Sequence, residues 1–210
     1  NLNDEKSLVI HLGMSGRITV TNKFQQLKHD HFACQFNDNL FLIFNDPRRF
    51  GFVDLVLSKN LNNHPSLIKL GPEPLSEEFN IDYLLKKLQS KKINIKTIMM
   101  NNEIVVGVGN IYINESLFDS SISPLRAASS LNKKEIEKLV NSIKKILNQA
   151  ITSGGSSIND YVDSSGKNGH FQDNFKIYGL EGKKCLLCSN LIKRIVQNGR
   201  SSFFCEKCQK

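Results

Sequence analysis

Four cysteines close the chain as two Cys-x-x-Cys pairs, Cys185/Cys188 and Cys205/Cys208, with 16 residues between the pairs. No other feature constrains the fold as tightly. Each pair sits on a tight knuckle, and together they offer four thiolates for a tetrahedral zinc site. Two disulfides are the alternative, but they need an oxidising compartment, and no export signal is visible at the start of the sequence. The spacing therefore predicts one structural zinc ion held by Cys185, Cys188, Cys205 and Cys208. A segment of roughly 25 residues cannot enclose a core, so metal binding supplies much of its folding free energy.

Between the pairs lies a predicted hairpin. Leu191 to Gln197 forms one strand, Asn198-Gly199 is a type I′ turn signal, and Ser201 to Phe204 returns. Arg200 then sits at the tip, pointing away from the metal. It reads either as an ordinary exposed arginine or as a cation carried on a rigid tip toward a phosphate or a groove. The fifth cysteine, Cys34, lies in an apolar stretch and is expected to be a buried, inert thiol.

The rest of the chain divides by periodicity. Residues 7–58 carry short apolar runs (Leu8 to Leu12, Phe32 to Phe36, Leu40 to Phe44, Phe52 to Leu57) separated by turn material such as Asn37-Asp38-Asn39. Residues 59–75 hold Asn62-Asn63-His64-Pro65 and Gly71-Pro72-Glu73-Pro74, which suit a linker. Beyond it the period lengthens to about 3.6. Short helices are expected over 81–88, 95–101 and 110–120. A longer one places Ile136, Leu139, Val140, Ile143, Ile146, Leu147, Ala150 and Ile151 on one face, with Asn132 and Glu135 as a capping box and Gly154 as the stop. Its opposite face carries Lys133, Lys134, Lys138, Lys144 and Lys145, read as solvated. Residues 153–184 are rich in Gly, Ser, Asn and Asp and form a long loop.

Two further motifs suggest a ligand. In Val106-Gly107-Val108-Gly109-Asn110, glycines precede a helix start, whose free N–H groups suit one phosphate; simple close packing is the other reading. Asp46-Pro47-Arg48-Arg49-Phe50-Gly51 puts two arginines beside an aromatic. The arginines can bond a base or a phosphate while Phe50 wedges into a stack. Equally, the motif can be a salt bridge beside a core phenylalanine. The net charge of +8 favours a polyanionic partner. No apolar run reaches the roughly 18 residues of a membrane span.

Taken in order, these blocks resemble bacterial formamidopyrimidine-DNA glycosylases. The resemblance is carried by His11 to Arg17, Lys28 to His31, Asp46 to Gly51, Leu70 to Leu75, Val106 to Tyr112, Glu115 to Phe118, Asp163 to Gln172, Tyr178-Gly179 with Glu181-Gly182, and the cysteine finger. It runs over essentially all 210 residues and implies an α+β multi-domain fold. The parts would be a partial N-terminal β-sandwich (1–62), a linker (63–75), a helix–two-turn–helix domain with a lesion loop (76–180) and a β-hairpin zinc finger (181–210). Two domains would clamp bent duplex DNA.

The resemblance also implies roles. Met14, Arg48 and Phe50 match the trio that fills the gap left by a flipped nucleotide, with Arg48 facing the orphaned cytosine. His29, Lys91, Lys96, Asn110 and Arg200 match phosphate contacts, and Arg200 also matches the proposed acid of δ-elimination. Ser164 to Phe171 matches the loop over the everted base, with His170 where many members have tyrosine. The family attacks the sugar with an N-terminal proline amine, assisted by a neighbouring glutamate and an early lysine, and no residue before His11 matches these. The parent protein is thus expected to be a glycosylase and abasic-site lyase for oxidised purines, cytoplasmic, monomeric and bound to damaged double-stranded DNA. This chain alone is expected to bind such DNA weakly and to form no borohydride-trapped adduct. A non-catalytic damaged-DNA-binding module and an endonuclease VIII-like pyrimidine glycosylase are the alternatives.

Overall fold

The computed structural model describes residues 1–2, 4–36, 39–157 and 168–210. Asn37 and Asp38 of the expected turn, and the Ser164 to Lys167 part of the expected lesion loop, lie outside the described residues. Contacts divide the chain into two units, Asn1–Ile68 with Thr152–Gln172, and Lys69–Ile151 with Asp173–Lys210.

The first unit is built on antiparallel strands in two sheets. β1 (Lys6–His11) pairs with β5 (Phe52–Leu57), His11 opposite Phe52. β2 (Arg17–Thr21), β4 (Phe41–Asn45) and β3 (Asp30–Gln35) form the other sheet with β4 central. Val9, Ile43 and Phe44 are the buried apolar residues of these strands. β2 is not among the expected strands, although Ile18 and Val20 alternate with Arg17, Thr19 and Thr21; its polar positions keep the run short of an apolar signal. Cys34 corrects an expectation. It is half-exposed because β3 is the outer strand of its sheet, so even its inward positions are incompletely covered. The stretch read as a linker opens with a 3₁₀ turn over Ser58–Asn63 and then buries His64. His64 Nδ1 accepts the Ser66 N–H at 3.2 Å, so Nε2 carries the proton and donates to Asp54 Oδ2, also at 3.2 Å.

In the second unit lie α1 (Ile81–Leu88), α2 (Ile95–Met99), α3 (Asn110–Asp119) and α4 (Lys133–Thr152). Asparagines open two of them: Asn80 Oδ1 accepts the Tyr83 N–H, and Asn94 Oδ1 the Thr97 N–H. The α4 capping box forms as the sequence predicts. Glu135 Oε2 accepts the Asn132 N–H and Asn132 Oδ1 accepts the Glu135 N–H. The predicted α4 stripe from Ile136 to Ala150 is buried, whereas Ile151, in the last turn, is exposed. Its apolar face packs into a core with Phe79, Leu84, Ile95, Ile113 and Leu117. The lysine face meets solvent, though Lys145 reaches Asp119 at 2.7 Å and Lys133 reaches Asp82 at 3.3 Å.

The finger closes this unit. β6 (Lys193–Gln197) and β7 (Arg200–Phe204) pair across Asn198 and Gly199, both at positive φ (47° and 72°), as a type I′ turn requires. A second core of Phe118, Ile177, Ile192 and Phe203 fastens the finger to α3. Polar bonds add to it: Asn114 Oδ1 accepts the Phe203 N–H at 2.8 Å, and Gln209 Nε2 donates to Ile122 O at 2.9 Å.

Candidate nucleic-acid interface and metal centre

The four sulfurs lie within 4.8 Å of one another, Cys185 and Cys208 at 3.9 Å and Cys188 and Cys205 at 3.4 Å. A tetrahedron with Zn–S bonds of about 2.3 Å has sulfur–sulfur edges of about 3.8 Å, so this set fits one zinc ion. No disulfide links them. Four thiols this close cannot all ionise unaided. A backbone N–H from Asn190 holds Cys188 down at about 7, while burial and the neighbouring thiols push Cys208 up to about 12. A dication in their midst supplies the charge that lets all four bind as thiolates.

Above the metal centre, the hairpin presents Arg200 to solvent at the start of β7. Lys96 stands behind it. Expected to face a phosphate, Lys96 is 1% exposed, and its ammonium donates to Ser201 O and Ser202 Oγ, both at 2.7 Å. The burial has a simple cause: Lys96 lies under β7, and its long side chain satisfies backbone and hydroxyl acceptors there. Lys96 therefore holds the strand that carries Arg200. With Arg200, Asn101 and Asn198 it also lines a groove of about 490 Å³. Burial, reinforced by the Arg200 guanidinium, lowers Lys96 from 10.5 to about 8.

That shift fixes a pH dependence. Between pH 8 and 10.5 the unfolded chain holds more of this proton than the folded one, so this group makes folding more favourable as pH rises through that window. Below pH 8 the cost of burying the charge is present in full. The urea midpoint of the parent, relative to Lys96→Met, is expected to rise between about pH 7.5 and 9.5. A relative fall would remove the assignment.

α3 begins at Gly109 with no side-chain cap, so the first N–H groups of the helix are left for other acceptors. A Cβ added at Gly107 or Gly109 would meet nothing within 4 Å. The close-packing reading of this motif thus fails. Gly107 needs glycine for its φ of +70°, and Gly109, at φ −77°, is the N-cap of α3, a position that accepts glycine readily. Asn110 opens the helix here, partly exposed, its carbonyl accepting from Asn114 Nδ2 at 2.6 Å. Lys91 is exposed between α1 and α2.

In the first unit, Met14 (65% exposed), Arg48 and Phe50 (57% exposed) stand on two adjoining loops. The Arg48 guanidinium lies over the Phe50 ring at 5.0 Å. Phe50 is therefore not a core residue, and among the described residues the acceptors of the Asp46 carboxylate are filled by a hydroxyl and backbone N–H groups, not by an arginine side chain. Asp46 is buried and accepts from Ser15 Oγ (2.9 Å), Gly51 N (2.8 Å) and Arg48 N (3.3 Å). The Gly51 N–H is the main cause of an acidity stronger than that of an ordinary aspartate, with Ser15 and Arg48 adding to it and burial opposing. Gly13, at φ +63°, lets the Met14 loop lie on Phe50; a Cβ there would come within 2.7 Å of the Phe50 carbonyl carbon. His29, also at positive φ (73°), is partly exposed next to β3.

Sequence reasoning missed two polar residues that hold these parts. Glu115 is 1% exposed and accepts three backbone N–H groups, from Lys176 (3.0 Å), Ile177 (3.0 Å) and Tyr178 (2.8 Å). Asn114 bridges α3 to β7. Both stand beside Ile113 on a helix whose apolar residues surround them, and a polar pair in that setting is the available signal.

Comparison with known proteins agrees with this anatomy. Residues 1–53 match the formamidopyrimidine-DNA glycosylase N-terminal domain, 70–162 the formamidopyrimidine-DNA glycosylase H2TH domain, and 182–210 a zinc finger found in FPG and IleRS. The chain is 50% identical over 214 residues to the formamidopyrimidine-DNA glycosylase of Wolbachia pipientis subsp. Culex pipiens (strain wPip), covering all of this chain and 77% of the relative. It is 43% identical to that of Rickettsia conorii (strain ATCC VR-613 / Malish 7) over 215 residues, with the same coverage. The MutM (FPG) protein of Thermus thermophilus superposes with a TM-score of 0.88 at 35% identity, over 99% of this chain and 77% of that one. Lactococcus lactis Fpg in complex with abasic-site DNA superposes with a TM-score of 0.87 at 35% identity, over 99% and 76%.

Proposed function

Since the chain belongs to the formamidopyrimidine-DNA glycosylase family, we propose that it serves base-excision repair, releasing oxidised purines such as 8-oxoguanine and formamidopyrimidines from duplex DNA and nicking the abasic strand by β,δ-elimination. The observation that carries this reading is the exposed Met14, Arg48 and Phe50 trio on tied loops. Three large side chains held in solvent, two of them apolar, suit insertion into a base stack. Extruding a nucleotide costs a few kcal/mol, which inserted side chains offset. Arg48 presents donors for the edge of the unpaired partner base, where cytosine offers acceptors.

The second unit grips phosphates. Uncapped N–H groups at the start of α3, Asn110, Lys91 and Arg200 present positive charge or donors to the DNA backbone, and His29 does so from the first unit. Lys96 acts through Arg200. One zinc ion, bound by the four cysteines, keeps the Arg200 tip in place. The working unit is a monomer acting on damaged DNA in the cytoplasm, at the nucleoid. Among the described residues no helix is long and apolar enough to cross a membrane. The domain limits we assign are 1–62, 76–180 and 181–210, joined by 63–75.

Base release tests the substrate class. The chain spans 77% of the length of the Wolbachia pipientis relative. Release of 8-oxoguanine opposite cytosine is expected to exceed that of thymine glycol; the reverse order would place the protein with the pyrimidine enzymes. On an abasic duplex, Arg200→Ala is expected to accumulate the unsaturated-aldehyde end left by β-elimination, at the expense of the 3′-phosphate end that δ-elimination leaves. An unchanged product ratio would deny Arg200 the proton-donor role.

A further inference from the structure

We propose that Asp46 is a positioning residue of the wedge, its one buried carboxylate clamping the Met14 loop and the Arg48–Phe50 loop into a single inserting surface. The inference rests on the reading of Met14, Arg48 and Phe50 as inserting side chains. The geometry is specific. Oδ1 accepts from Ser15 Oγ at 2.9 Å, next to Met14, and from the Arg48 N–H at 3.3 Å. Oδ2 accepts the Gly51 N–H at 2.8 Å, next to Phe50. The two oxygens thus bracket both ends of the Pro47–Phe50 turn and the neighbouring loop at once.

The backbone of the same residue anchors a third loop. Asp46 N–H donates to His29 O at 3.0 Å, and Asp46 O accepts from His31 Nε2 at 3.0 Å. Its neighbour Asn45 extends this grip, donating through Nδ2 to Lys28 O (2.9 Å) and Asp30 Oδ1 (2.7 Å). Met14, His29, Arg48 and Phe50, the DNA-contact candidates of the first unit, therefore hang from one buried Asn-Asp pair at the end of β4.

Such a clamp matters because insertion works only if the side chains are already in place. Loose loops would lose their conformational freedom on binding, and that entropy would come out of the affinity. A carboxylate is suited to the role, as an acceptor on both oxygens. The carboxamide of asparagine keeps one acceptor and sets an NH2 against either the Gly51 N–H or the Arg48 N–H.

The test compares Asp46→Asn, Phe50→Ala and the double variant. The probe is a duplex with a tetrahydrofuran abasic analogue opposite cytosine and 2-aminopurine beside the gap. Asp46→Asn is expected to bind this duplex about tenfold more weakly and to lose most of the 2-aminopurine response, while undamaged duplex is bound within about twofold of the parent. In the Phe50→Ala background the same change is expected to cost no more than about twofold, because the clamp acts through the wedge. Equal losses on damaged and undamaged DNA, or full additivity, would overturn the inference.

Amide exchange separates this claim from the wedge reading. Exchange at Gly51 or at Arg48, whichever N–H faces the new NH2, is expected to quicken at least about tenfold in Asp46→Asn, with the finger amides unchanged. Unchanged protection at both Gly51 and Arg48 sinks the clamp whatever the DNA does. A Phe50→Ala variant with parental binding and fluorescence sinks the wedge reading instead. Should Asp46→Asn fail to fold, Ser15→Ala removes the Met14-loop tether alone. It is expected to weaken abasic binding about threefold and to spare undamaged duplex; no change there refutes the clamp.

Discussion

Replacing Cys205 with serine, or stripping the metal with a strong chelator, is expected to weaken binding to lesion-containing duplex by about a hundredfold or more. Cys205 is fully buried, and its sulfur is one corner of the four-thiol cluster. Structural zinc in small fingers carries roughly 10–16 kcal/mol of apparent binding free energy, nearly all of it expressed as folding. Without it, the hairpin of β6 and β7, marginal by itself in water, keeps only its apolar contacts and its bonds to Asn114 and Lys96. Arg200 then becomes a tethered but unplaced cation. Losing one well-placed charge-assisted contact and ordering a hairpin on binding together amount to about 3 kcal/mol, which is the hundredfold. The helical core of Phe79, Leu84, Ile113 and Leu139 contains no cysteine, so helical circular dichroism is expected to persist. Zinc content, Kd and far-ultraviolet signal measured together decide the matter. An apo chain with parental Kd would show that the finger does not position the grip.

The elements are legible wherever local chemistry determines them. The four cysteines, the Asn198-Gly199 turn and the Asn132/Glu135 capping box each act within a few residues, and the fold reproduces them. So does the α4 stripe, because a 3.6-residue period on a long helix leaves few alternatives. What escapes is set by partners distant in sequence. Lys96 reads as a match to a phosphate contact, and nothing near it in sequence tells that β7, 105 residues later, brings Ser201 over it. Glu115 shows in the sequence only as the start of the Glu115 to Phe118 block, and its role comes from Lys176 to Tyr178, which turn their N–H groups onto it. Asp46 reads as an ion-pair partner for its neighbouring arginines, whereas its actual donors are a serine 31 residues away and the backbone of its own turn. Cys34 reads as a core thiol because its neighbours are apolar, and apolar neighbours say nothing of strand order. In each case the residue type is visible and the surroundings are not.

Glu115→Ala is expected to destabilise the second unit by about 4 kcal/mol. The carboxylate accepts three N–H groups inside the protein, and alanine would leave all three without an acceptor at a site with little access for water. Each orphaned buried donor costs about 1–3 kcal/mol, and the low end is apt here because the segment can relax. For a chain of this size that lowers Tm by about 8–16 °C. Glu115→Gln is expected to lose about half as much. Its carbonyl oxygen still serves Ile177 and Tyr178, which share Oε1, while its NH2 opposes the Lys176 N–H, which uses Oε2. The damage should also travel. Tyr178 packs its ring against Phe203 at 5.1 Å, and Phe203 lies on the strand that begins with Arg200. DNA affinity is therefore expected to fall in Glu115→Ala even at temperatures where the chain remains folded, whereas exchange at the Gly51 amide, in the other unit, should not change. Thermal melts and binding at about 10 °C give both readings. A melting point within about 2 °C of the parent would mean that the three donors find other acceptors, and that the segment entering the finger is held by its apolar contacts alone.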